Sequence, residues 1–209
     1  ALNNTGAVDV QSGKLGLSGG ASTGSFAVQT GATLRLTGDH AFAAGASFTG
    51  DGLLEIAGGA NAFAAGVTFD SGGGLSFTAG GSGAFAGDLT RSALQMTGGA
   101  LTGSGVVTVT GVTTWSGGVM TGPGRTVALG GLTLDGYQVT LDGRTFDNVG
   151  AAVWNTVNNY SYLYLANNAV FNNLAGASFT DQRDDAGLTA SIYGDGSANQ
   201  INNLGAFVK

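Results

Sequence analysis

One short pattern governs what this chain can fold into: an apolar residue, any residue, then a second apolar residue. It recurs as Leu15/Leu17, Leu34/Leu36, Leu54/Ile56, Leu75/Phe77, Leu94/Met96, Thr113/Trp115 and Leu132/Leu134, with a threonine standing in once. Steps between first members are 19, 20, 21, 19, 19 and 19 residues. Between the triplets lie further apolar positions, Phe26/Val28, Phe48, Phe69, Leu89, Val107/Val109 and Val127/Leu129. The pieces AFAAG at 41–45 and 62–66 repeat almost unchanged. Alternation of period two over short stretches, bounded by GG, TG or DG, reads as strands with one buried face, and no 3.6-residue helical pattern competes. A constant repeat that returns large residues to equivalent places favours coil stacked on coil over a hairpin meander. The expected fold is therefore an all-β single-stranded parallel β-helix, or β-solenoid, with about 20 residues per coil and two or three short strands in each. Each strand then pairs in parallel with its counterpart one coil later, about 4.8 Å along the axis.

Glycine accounts for 40 of the 209 residues, against about 7% in ordinary chains. In a solenoid the excess is explained by corners, where a positive φ or a close backbone approach excludes a Cβ. Pro123, the only proline, stands in GPG and is expected in a turn, because a stacked coil uses its N–H groups in the ladder.

Composition divides the single expected domain, residues 1–209, into Gly-rich coils at 1–145 and Asn/Tyr-rich coils at 146–209. Eleven asparagines follow residue 145, as do four of the five tyrosines but only six glycines. FDNVGAAVW at 146–154, FNNLAGASF at 171–179 and INNLGAFV at 201–208 repeat one motif, and LNNTGAVDV at 2–10 resembles it. Asn148, Asn173 and Asn203 are candidates for a ladder of side-chain amides along the axis, with Asn4 aligned to it in a neighbouring unit. The alternative is that these asparagines serve only as left-handed turn residues. With the motif at both termini, the chain is expected to be a slice of a longer array or to stack end to end.

The coils VDVQSGKLGLSGG (8–20), FAVQTGATLRLTG (26–38) and VVTVTGVTTWSGG (106–118) resemble the repeats of filamentous-haemagglutinin-like and autotransporter-type bacterial adhesins. That resemblance implies a right-handed helix, secretion or display on the bacterial cell surface, and a non-enzymatic structural or adhesive role. Host or matrix glycans or surface proteins are then the expected partners, together with end-to-end self-association.

Charge narrows the partners further. Seven Lys+Arg against 13 Asp+Glu leave a net charge of −6, and the cations stand singly. Nucleic acid, which is bound by clustered cations, is not an expected partner. No run of 18 apolar residues suggests membrane insertion. The opening residues carry no basic-then-apolar leader, so a soluble chain, mature or excised, is expected. The absence of cysteine fits secretion without disulfides as well as the cytosol.

Candidate chemistry is sparse. His40, the only histidine, lies beside Asp39 in TGDHAF and reads as a turn residue without a nucleophile nearby. One histidine and no cysteine make a zinc site unexpected, and neither a metal nor a cofactor is expected. The densest acidic stretch, FTDQRDDAG, holds Asp181, Arg183, Asp184 and Asp185, with Asp195 further on. It is read first as an inserted surface loop, and otherwise as a calcium site or as the acid pair of a polysaccharide hydrolase or lyase, the enzymatic alternative. Polygalacturonase-like enzymes would add a histidine and a basic cluster downstream, which this chain lacks after Asp185. Trp115 falls on the inward member of its triplet. In NNYSYLYLANN, Tyr160, Tyr162 and Tyr164 alternate, so all three point outward if Leu163 and Leu165 point in. The binding candidates are therefore Tyr160, Tyr162, Tyr164, Arg183, Asp184 and Asp185.

Overall fold

In the computed structural model, which describes residues 1–70, 72–78, 80–155, 160–182 and 189–209, the chain is a β-solenoid of parallel strands with no helix among those residues. A coil carries three strands, as in Ser25–Val28, Thr33–Leu36 and His40–Phe42. The counterparts of these strands stack into three faces.

The second face holds the periodic triplets in unbroken register. Leu15, Leu34, Leu54, Leu75, Leu94, Thr113 and Leu132 form one column. Leu17, Leu36, Ile56, Phe77, Met96, Trp115 and Leu134 form the next. From Leu34 onward every one of these residues is at most 2% exposed. The columns continue into the Asn-rich half, where Leu132 and Leu134 face Ala152 and Trp154. Small Ala152 sits beside large Trp154, which is why the triplet pattern fades in the sequence while the ladder persists.

Phenylalanines fill the interior between the other two faces. Phe26, Phe48 and Phe69 stack at 5.4 and 4.9 Å on the first face, while Phe42, Phe63 and Phe85 stack at 4.7 and 4.4 Å on the third. The two columns meet edge to face, as Phe26 and Phe42 do at 81°. Contacts of this kind add about 0.5–1.5 kcal/mol each beyond burial.

Two coils depart from the three-strand plan. Leu94–Thr102 and Thr113–Thr121 each run through two faces as one strand, with a register shift between Thr97 and Ala100. Gly99 and Gly118, at φ 66° and 82°, lie at these bends. Here GG bends a continuous strand instead of ending it. Pro123 lies between Thr113–Thr121 and Arg125–Ala128, in the corner expected for it.

The apolar pair Val127/Leu129 is not the inward one: Val107 faces Thr126 and Val109 faces Ala128, leaving Leu129 44% exposed. The cause is Arg144, which is 1% exposed inside the coil and directs Nε to Thr126 Oγ1 at 2.9 Å. Its other N–H groups donate to the carbonyls of Gly103, Thr121, Gly105 and Arg125 at 2.9–3.3 Å. A buried guanidinium requires a hydroxyl where valine would leave a donor unpaired. Gly103, one of these acceptors, lies at φ 103°, where a Cβ would overlap the Phe85 carbonyl.

Asparagines occupy two different corners. Asn148 Nδ2 donates to Asn173 Oδ1 at 2.8 Å, and Asn173 Nδ2 to Asn203 Oδ1 at 2.7 Å. Outside them a second line joins Arg125, Asp147, Asn172 and Asn202. Left-handed backbone is found instead at Asn167 and Asn168, φ 54° and 64°. Asn4 is not a member of the ladder: it bridges Ser22, on the third face, whereas Asn148 closes a strand of the first. The similar motif at the amino terminus therefore marks another corner.

Candidate functional site

The outward face of strand Tyr160–Ala166 carries the most distinctive surface. Leu163 and Leu165 are buried at 0% and 4%, so the alternate residues Tyr162 and Tyr164 project away from the core. In register, Tyr162 lies between Gln138 and Ser191, and Tyr164 between Thr140 and Tyr193. The backbone of Tyr160 pairs with Thr189, while its side chain lies outside the described residues.

Two tyrosines that the alternation did not single out complete the cluster. Tyr137, in the corner before Gln138–Asp142, meets Tyr162 edge-on at 5.3 Å and 88°. Tyr193, one coil further on, meets Tyr162 at 5.4 Å and 46°. Tyr137, Gln138, Tyr162, Tyr164, Tyr193 and Gly194 line an open depression of about 410 Å³. Tyr137 and Tyr193 are 59% and 51% exposed. Their membership was hidden because it depends on register across a coil of irregular length. The spacing of 29 residues from Tyr164 to Tyr193 departs from the usual 20.

The backing of this surface is fixed from inside. Trp154 Nε1 donates to Ser161 Oγ at 2.8 Å, and Ser161 Oγ donates to the Gly136 carbonyl at 2.6 Å. The Tyr162 amide donates to the Tyr137 carbonyl at 2.8 Å. The inward Ser161 side chain and the Tyr162 backbone are thus tied to the coil before the tyrosine strand, and the rings start from a fixed base.

Carboxylates near the cluster serve the adjoining corner. Asp142 accepts from Thr121 Oγ1 at 3.0 Å and from Asn167 Nδ2 at 2.6 Å. Asp195 accepts from the Ser197 hydroxyl and amide, the Asn167 amide and Asn199 Nδ2. The Ser197 hydroxyl, with these other donors, holds the Asp195 carboxyl well below the usual carboxylate range. Asp181 pairs with Lys209 Nζ at 3.4 Å. Arg183, Asp184 and Asp185 lie outside the described residues. Among the described residues, no group of three or more His, Cys, Asp or Glu side chains could hold a metal ion.

His40 is not in a turn. It faces the interior at 2% exposure, stacks on Phe42 at 4.3 Å, and has Nε2 2.9 Å from Ser22 Oγ. The arrangement supplies the hydroxyl that the sequence did not reveal beside this ring. Ser22 is itself 2% exposed, and Asp39 accepts the Ala60 amide at 2.8 Å instead of orienting the imidazole. A hydroxyl closed off in this way is out of substrate reach, so the pair acts in packing.

Compared with known proteins, the chain matches no protein-family model, no curated protein and no solved structure.

Proposed function

We propose that this chain is a non-enzymatic structural and adhesive module of a secreted or cell-surface bacterial protein, a rigid spacer that presents contact surfaces along its length. The observation that carries the reading is how its outward polar side chains are used. Glu55 pairs with Lys14 at 2.8 Å, Asp147 accepts from Asn172 at 2.8 Å, and Asp88 accepts the Val106 amide at 2.8 Å. Each bond joins one coil to another, so these charges reinforce length and stiffness. Resemblance of the repeats to filamentous-haemagglutinin-like and autotransporter-type adhesins supports the surface location, and the tyrosine cluster supports contact.

Two measurements test this reading. Protease shaving of intact producing cells, followed by immunodetection of the chain, is expected to remove it or to find it in the medium. Protection until lysis would contradict display. Incubation with a polysaccharide panel is expected to release no reducing ends or unsaturated products. Release that disappears in Asp184→Ala/Asp185→Ala would replace the spacer with a hydrolase or lyase.

A further inference from the structure

We infer that the tyrosine-lined depression is a binding site for uncharged oligosaccharides that lie along the solenoid axis. The inference rests on the reading of the chain as a contact module and names the ligand class of its surface. Tyr137, Tyr162 and Tyr193 come from three successive coils, so their rings follow one another along the axis. Ring centroids at 5.3 and 5.4 Å place these rings in contact with each other. Rings in contact leave no slot between them, so a ligand lies over the row and follows it along the axis. A pyranose suits this geometry. Its axial C–H groups form an apolar face that packs on aromatic rings, while its equatorial hydroxyls reach the polar edge.

The polar groups present match hydroxyls and not charges. Tyrosine hydroxyls both donate and accept, and the Gln138 amide adds two donors and one acceptor beside Tyr162. Among the described residues, the lining contains no Lys, Arg, Asp or Glu. A net charge of −6, with Asp142 and Asp195 at the neighbouring corner, repels acidic polysaccharides. A depression of about 410 Å³ that is open to solvent suits a short stretch of a chain continuing beyond it at both ends.

The test is a glycan array of neutral and acidic oligosaccharides probed with the purified 209-residue chain, with titration of each hit by calorimetry. Neutral glycans are expected to bind. Tyr137→Ser and Tyr193→Ser, at half-exposed positions where folding is not at stake, are each expected to weaken them about five- to tenfold. Tyr162→Phe, which keeps the ring, is expected to stay within about threefold of the parent chain. The inference is overturned by an empty array, by hits confined to acidic glycans, or by neutral hits indifferent to both serine substitutions. Capture of a matrix protein through the same tyrosines, with no glycan bound, also overturns it. An empty array beside a positive shaving result would remove the ligand class and leave the spacer reading standing.

Discussion

Arg144 Nε lies 2.9 Å from the Thr126 hydroxyl inside the coil, where a chain of this composition would be expected to place only apolar groups. All five guanidinium N–H groups have acceptors, drawn from corners as far apart as Gly103 and Thr126. Burial pushes the Arg144 pKa down to about 10, which leaves it charged at neutral pH. Arg144→Met removes every one of these donors and is expected to lower unfolding free energy by about 3 kcal/mol. Thr126→Val should cost about 1–2 kcal/mol. Urea denaturation measures both, and a midpoint unchanged in Arg144→Met would show that the guanidinium does not join the coils.

The asparagine ladder makes a second prediction. Asn173 accepts from Asn148 and donates to Asn203 Oδ1 and to the Ala206 carbonyl at 2.9 Å. Asn173→Asp keeps the shape but sets a carboxylate against two acceptors, and a loss of about 2–4 kcal/mol is expected at neutral pH. At the other end of the ladder, Asn148 Oδ1 is buried without a hydrogen-bond partner among the described residues. Its neighbour in register is Ala128, and Val109 occupies the same position one coil earlier. Ala128→Asn supplies that donor but leaves its own Oδ1 buried against Val109, so it moves the unpaired acceptor one coil along and is expected to change stability by less than about 1 kcal/mol. Thermal unfolding distinguishes the outcomes, since an overpacked column would lower the midpoint instead.

Acid sensitivity should trace to His40. Burial lowers its pKa from the ordinary 6.5. Between the two values the unfolded chain binds the proton and the folded one does not, so stability rises with pH across that window. The contribution of His40 is accordingly lost as pH falls below about 6.5. Asn61 fills the next position in register, so His40→Asn should fold with that part of the pH slope removed. Equal slopes in the two chains, from unfolding at a series of pH values, would assign the sensitivity elsewhere.

Much of this was legible because parallel stacking repeats its demands every coil. The seven triplets mark the second face, and Leu163 and Leu165 fix which way Tyr162 and Tyr164 point. What escaped depends on single contacts that break the repeat. Nothing local distinguishes Thr126 from Val127 as the inward residue until Arg144, 18 positions later, enters the same interior. A one-residue slip of this kind moves every side chain of the strand to the other face. Likewise Tyr137 and Tyr193 join the cluster through register alone, and Asn4 shares a motif with Asn148 while closing a different corner.

Parallel register is the claim on which the site, the ladders and the buried polar groups all depend, and cysteine pairing reads it directly. The chain has no cysteine, so only an introduced pair can react. Ala41 faces Ala62 on the outer side of the third face, and Ala62 faces Ala84. One coil apart, about 5 Å, is within reach of a disulfide, and two coils, about 10 Å, is not. Mild oxidation is predicted to close Ala41→Cys/Ala62→Cys within one molecule and to leave Ala41→Cys/Ala84→Cys reduced. An open first pair, or a second pair closing as readily, would contradict the solenoid described here.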